Sequence, residues 1–461
     1  MTALTTRLLL FFLLFSNFVR AQDEHPTTFQ YSFSVDSIES KHLDDGRTVK
    51  IFLPENYSPT KKYPVFYALD GAWMFEPTVV QAKLLMDFEV IPESIVVGIF
   101  HPDRNKDLGI DWKTGEFRSG SQNFYRFLVQ ELVPKIDATY ATSGFGTLIG
   151  HSNSATFCQK VMTQEQQPFR GFIALSQHLF GDQTREFIEF STATHDRPVF
   201  YFVASGKRDA TPRLESGRLL DSLFRTSTNP NIVLQHTLYD ADHNGIVGQG
   251  LGNGMAHIFS EYKHFNDWDE HLIDSLQQNN ISSFDFMETH SQRMKLLYGI
   301  DFKPDENDLS LMQSMTQTDE DIERVQQFEI EHLGQNEHFY ATYAQFYEHA
   351  KSYEKALEYW KTHLAEHEDG SMHFFYYKRP IQLLFHRMKQ PEAAIEFAQT
   401  SRALREDLSQ QFDYWIAKIA AESDVQRQVG LRAIETYIEN YDEDSPVDLP
   451  KARELRAKLK G

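Results

Sequence analysis

The chain has a single cysteine, Cys158, among 461 residues, which excludes an intrachain disulfide and a disulfide-held scaffold. Positive charge is scarce as well: 45 Lys and Arg face 66 Asp and Glu, for a formal charge of −21. Such a surface repels phosphate backbones and anionic headgroups, so no nucleic-acid partner is expected. Long apolar runs are also missing. Residues 8–14 form the one near the start, well short of the about 20 residues that cross a bilayer. Neither an H-E-x-x-H motif nor a Cys/His cluster occurs, which argues against a metallohydrolase. No metal and no organic cofactor is expected.

Arg7 precedes that short apolar run, and Val19-Arg20-Ala21 follows with small residues at the cleavage positions. This is the form of a secretory signal peptide over residues 1–21. The mature protein is expected to be exported, periplasmic or secreted, with no membrane span once the signal is cleaved. Apolar residues make up 41% of the chain and aromatics 13%, enough to bury cores in two or three domains.

Two regions obey different patterns. From residue 30 to 265, β-rich runs at 48–53, 64–69, 94–99, 146–150, 171–175, 198–204 and 234–239 alternate with helix-like stretches. One such stretch, 121–136, carries Phe124, Phe127, Leu128 and Leu132 at helical spacing. Near-continuous apolar strands separated by helices predict an α/β fold with a mostly parallel central sheet flanked by helices. Beyond that point the strands stop. Residues 266–335 read as a helical linker region, and 336–461 as an all-α helical-repeat domain. Within it, 337–366 is a helical hairpin. Ala394 repeats the place of Ala356 after 38 residues and Ala433 follows after 39, near the tetratricopeptide period of about 34. Tyr347, Ala356 and Trp360 fit that repeat, and the region resembles a tetratricopeptide-like array.

The chemistry concentrates in Gly150-His151-Ser152-Asn153-Ser154. A strand runs into this turn and a helix follows from Ala155, the setting of a nucleophile elbow. Gly150 meets the need for a small residue two positions before the serine, whereas Ser154 stands where a second glycine is usual. A serine hydroxyl needs an adjacent base. The order Ser, acid, His expected of this topology puts the base after the last strand, at His243, and leaves His151 and His236 structural. The acid follows the preceding strand at Asp209, with Glu215 and Asp242 as alternatives. Two amide donors must hold an oxyanion: Asn153 after the nucleophile, and Ala72 in the loop Asp70-Gly71-Ala72-Trp73. Trp73 and Phe75 are candidate substrate-binding walls.

The runs Arg47–Tyr57, Lys62–Gly71, Ile91–Ile99 and His101–Leu108, together with the elbow, resemble the esterase branch of α/β-hydrolases. That branch includes siderophore esterases, S-formylglutathione hydrolases and feruloyl esterases. The resemblance implies a serine esterase with Ser152 as nucleophile and His243 as base, while the acid varies among members and some work as Ser–His dyads. Members commonly have Pro-Ser where Gln177 stands. The expected substrate is a small-molecule ester, a siderophore or an acylated small molecule or sugar. The helical tail is a candidate surface for a protein partner. A second reading is a catalytically weak hydrolase fold that acts as an exported binding protein.

Overall fold

A computed structural model describes residues 31–225, 229–367 and 373–461; the expected signal peptide, 1–21, lies outside them. The chain divides into two compact units. The first comprises the described residues up to Ser260 with Leu297–Ile300, and the second Glu261–Leu296 with Asp301–Gly461.

The first unit is built on eight strands: β1 Ser34–Ile38, β2 Arg47–Phe52, β3 Tyr63–Ala68, β4 Ile95–Ile99, β5 Thr142–His151, β6 Phe169–Leu175, β7 Val199–Gly206 and β8 Ile232–Tyr239. They form one sheet in the order β1-β2-β4-β3-β5-β6-β7-β8. The pairs β1–β2 and β2–β4 are antiparallel, and every other neighbouring pair is parallel. Every residue of β3, β4 and β7 is buried. That is why these strands read as unbroken apolar runs: helices shield both faces of a parallel sheet. β1 is not among the strands expected above, although Tyr31, Phe33 and Val35 alternate with Ser32, Ser34 and Asp36. It is an edge strand, exposed at all but Ile38.

The stretch expected as one helix at 121–136 is continuous but changes pitch. It runs as Ser119–Phe127, a wider π-helical turn Leu128–Leu132, and Val133–Thr139. Pro134 has no N–H to give to the preceding turn, which accounts for the local widening. Phe124, Phe127, Leu128 and Leu132 are all fully buried.

The described part of the second unit is helical throughout, and it includes helices Glu270–Gln278, Glu306–Ser314 and Asp319–His332 within the stretch read as a linker. The hairpin Phe339–His349 and Tyr353–Glu366 follows. Its inner face is Tyr343, Tyr347, Ala356 and Trp360, all essentially without exposed surface. Further on, Ala394, Phe412, Ile416, Ala420, Ile434 and Tyr437 share a second cluster. Among the described residues no helix is long and apolar enough to cross a membrane.

One polar anchor in this unit is titratable. Buried Asp308 accepts from the Phe265 N–H at 2.8 Å and pairs with His264 Nδ1 at 2.7 Å. Burial opposes a charge on His264, but hydrogen bonds to Asp305 and Asp308 outweigh it and raise the imidazole to about 10 from its ordinary 6.5. A raised folded-state value stabilises below the unfolded value and is lost as pH climbs through the folded one. The Tm advantage of the parent over His264→Gln is therefore expected to be full at pH 6 and to shrink between about pH 6.5 and 10. A difference independent of pH would contradict this.

Candidate active site

β5 ends at His151, and helix Asn153–Met162 begins two residues later. Between them Ser152 takes φ 64°, ψ −121°, a conformation that costs a non-glycine residue energy and persists only when its surroundings enforce it. The Ser152 N–H is held by the Leu175 carbonyl at 2.9 Å. A Cβ on Gly150 would lie 2.4 Å from the Ser154 carbonyl carbon and oxygen, so only glycine fits there. Ser154, the departure from the usual glycine, is buried and has its own work. Its Oγ accepts from the His151 N–H at 2.7 Å and reaches Asp70 Oδ2 at 2.8 Å.

The loops after β7 and β8 bring the remaining groups to this turn. His243 Nε2 stands 3.0 Å from Ser152 Oγ. On the other side of the ring, His243 Nδ1 is 3.0 Å from Asp209 Oδ1 and 3.2 Å from Oδ2. Of the three acids considered, Asp209 is the one that meets the imidazole: Asp242 Oδ1 instead accepts the Gly245 N–H at 2.7 Å, and Glu215 lies on helix Thr211–Arg225 without a bond to His243. Burial works to raise the Asp209 carboxyl, but hydrogen bonds from Ser176, the Ala210 N–H and His243 outweigh it and hold it below the ordinary carboxylate value. It is ionised at neutral pH.

Two further residues join this constellation without having been singled out. Ser176 follows β6, also with positive φ, at 58°. Its hydroxyl donates to Asp209 Oδ2 and lies 2.9 Å from His243 Nδ1. The Arg213 guanidinium donates to the Ser176 carbonyl at 2.5 Å and to Asn153 Oδ1 at 3.2 Å. His151 supports the site from below. Burial pushes it down to about 4, so it is neutral, and its Nε2 lies 2.6 Å from the His243 carbonyl oxygen. His236 bonds Ser205 Oγ at 3.0 Å and lies outside the constellation.

The two candidate oxyanion amides both sit at helix starts, where N–H groups have no intrahelical acceptor. Ala72 is the second residue of helix Gly71–Asp87, and Asn153 is the first of helix Asn153–Met162. Both residues are exposed. Asp70, immediately before the first of these helices, is clamped by Arg104 Nε at 2.6 Å and Nη2 at 2.9 Å. The same Arg104 donates to the His151 carbonyl at 3.2 Å, tying the loop to the elbow. Trp73 is 43% exposed and its ring meets that of His151 edge-on at 5.3 Å. Phe75 requires a correction. It has no exposed surface, packs on Gly98 of β4, and meets the Phe33 ring at 5.6 Å; it is a core residue and no substrate wall. Gln177 is likewise buried, accepting from the Tyr201 hydroxyl at 2.5 Å. An open cleft of about 460 Å³ lies over the site, lined by Asp209, His243, Arg208, Arg213, Asp242 and neighbours.

The sequence profile described as "Putative esterase" matches residues 40–277, more than half of the chain. The chain belongs to this esterase family. Among curated relatives, YjcH of Bacillus subtilis is 28% identical over 229 residues, covering 46% of this chain and 90% of YjcH. The ferri-bacillibactin esterase BesA of the same organism is 25% identical over 195 residues, covering 36% of this chain and 67% of BesA. A crystal structure of an uncharacterised protein from Capnocytophaga ochracea superposes with TM-score 0.61 at 18% identity, covering 76% of this chain and 99% of that one. That likeness is one of fold. Ester hydrolysis by an α/β-hydrolase-like unit, joined to a helical region, is what the esterase family and the architecture together support.

The elbow makes a direct demand on the esterase. Gly150→Ala would drive a methyl group into the Ser154 backbone, and overpacking of this kind costs roughly 1–3 kcal/mol. A clear fall in Tm together with loss of ester turnover is expected; unchanged Tm and turnover would contradict the packing described.

Proposed function

We propose that the protein is an exported serine esterase that works through an acyl-enzyme. The observation that carries this reading is the 3.0 Å separation of Ser152 Oγ and His243 Nε2, with Asp209 on the far side of the imidazole. Ser152 Oγ attacks the ester carbonyl carbon while its proton passes to His243 Nε2. Ionised Asp209 fixes the tautomer with Nδ1 protonated and stabilises the imidazolium that forms. The amides of Asn153 and Ala72 receive the developing oxyanion. When the tetrahedral intermediate collapses, the C–O bond to the leaving alcohol breaks, and His243 returns the proton to that oxygen. Water then repeats the sequence on the acyl-serine, releasing the acid and restoring Ser152.

BesA, named for ferri-bacillibactin, favours a siderophore-type ester as substrate, with acylated small molecules or sugars as the wider class. The expected signal peptide supports action outside the cytoplasm. We read the second unit as a tetratricopeptide-like array, on the burial of Tyr347, Ala356 and Trp360 in the hairpin and of Ala394 beyond it. Such arrays present surfaces for protein partners. The reading as a catalytically weak binding protein turns on the departures after Ser152, Asn153-Ser154-Ala155, and at Gln177. Ser154 and Gln177 have hydrogen-bonding roles inside the fold, which speaks for their accommodation in a working site.

Ser152→Ala is expected to lower kcat on p-nitrophenyl acetate by about three orders of magnitude or more, and full turnover by that variant would overturn the proposal. Ser176→Ala removes one hydrogen bond from Asp209 and a neighbour of His243 Nδ1. A fall in kcat of roughly tenfold with little change in KM is expected, in line with loss of one positioning bond.

A further inference from the structure

Two arginines line the cleft, and they are placed differently. Arg213, on helix Thr211–Arg225, is half-buried. Its bonded partners are a carbonyl, that of Ser176, and an amide oxygen, that of Asn153. No carboxylate is ion-paired with it among the described residues. Burial of the guanidinium lowers its pKa, with the charge of Asp209 opposing and that of Arg104 adding to the effect. A cation withdrawn from water without an ion-pair partner is a cost to the folded protein, and an anion arriving in the cleft would offset it. Arg208 is the outer member. Its side chain is 64% exposed, and its partner is the still more exposed Asp240, at 3.3 Å. Exposed pairs of this kind are weak and exchange readily.

The cleft carboxylates do not cancel these charges equally. Asp209 has only 2% of its side chain exposed and its oxygens are taken by His243, Ser176 and the Ala210 N–H. Asp242 is exposed, with Oδ1 held by the Gly245 N–H. Among the cleft's lining residues it is the acid that would compete with an incoming anion, as Asp240 would from beside Arg208.

We propose that Arg208 and Arg213 form a subsite for a carboxylate carried by the ester substrate, beside the bond to be cleaved. A guanidinium presents paired N–H donors in the plane a carboxylate matches, and Arg213 holds its fork beside the nucleophile's own helix through Asn153. The proposal rests on the serine-esterase reading, and it names the substrate class as carboxylate-bearing esters.

The test compares kcat/KM within two matched pairs on the full-length protein. One pair is p-nitrophenyl hemisuccinate against p-nitrophenyl butyrate, with the charge on the acyl side. The other is 4-acetoxybenzoate against its methyl ester, with the charge on the alcohol side. In one of the pairs the anionic ester is expected to be preferred by about tenfold, a preference that weakens in high salt. Arg208→Gln and Arg213→Gln are each expected to bring that ratio towards unity, and Asp242→Asn to raise it. A ratio near unity in both pairs, or one that neither arginine substitution moves, would overturn the subsite. Either result, with neutral-ester turnover still abolished by Ser152→Ala, would leave the serine-esterase reading standing; turnover of the neutral ester by Ser152→Ala would defeat both.

Discussion

The site depends on the parallel pairing of four consecutive strands. β5, β6, β7 and β8 are neighbours in one direction, so their carboxyl ends emerge along a single edge. Ser152 follows β5, Ser176 follows β6, Asp209 follows β7 and His243 follows β8. Loops at the carboxyl edge of such a sheet are where ligand sites form. Each strand therefore delivers one member of the hydrogen-bonded chain, although the residues are separated by up to 91 positions. Slipping any one pairing would move a member along the edge and open a gap in the chain.

The positive φ at Ser152 and at Ser176 is the local expression of the same constraint. Both turns are strained, and both are held by the adjoining strand: Ser152 N–H on Leu175, and Ser176 N–H on the Ala204 carbonyl at 2.8 Å. Around them the charges are arranged in layers. Asp70 and Arg104 fasten the loop after β3 to the elbow, Asp209 and Ser176 fix the imidazole, and Arg208 and Arg213 face the cleft. In a chain whose formal charge is −21, the groups lining the cleft thus include two cations.

Much of this was legible in the chain itself. Ser152 was marked by its place between a strand and a helix, and His243 by its place after the final strand, because topology converts chain order into position along the sheet edge. Asp209 was less distinct, since acids are common in loops and only contact separates it from Glu215 and Asp242. Ser176, Arg213 and the Asp70–Arg104 clamp act through partners distant in sequence, and no local pattern announces them. The pairing of Trp73 with Phe75 as substrate walls failed for a geometric reason. Both lie on helix Gly71–Asp87, and residues two apart on a helix point about 200° from one another. If one faces the cleft, the other faces the sheet. The helical half was recognised as helical; the stretch 266–335, read as a helical linker region, falls in the second compact unit except for Leu297–Ile300, and capping residues such as Asp305 and Thr318 mark helix starts within it.

The central claim is that the hydroxyl of Ser152 is the atom that takes the acyl group, and covalent trapping tests it most directly. The folded protein would be treated with a fluorophosphonate and the adduct located by peptide mass spectrometry. The account predicts one stoichiometric adduct, on Ser152, with ester turnover lost in step with labelling. An adduct on another residue, or full labelling elsewhere with turnover intact, would contradict it.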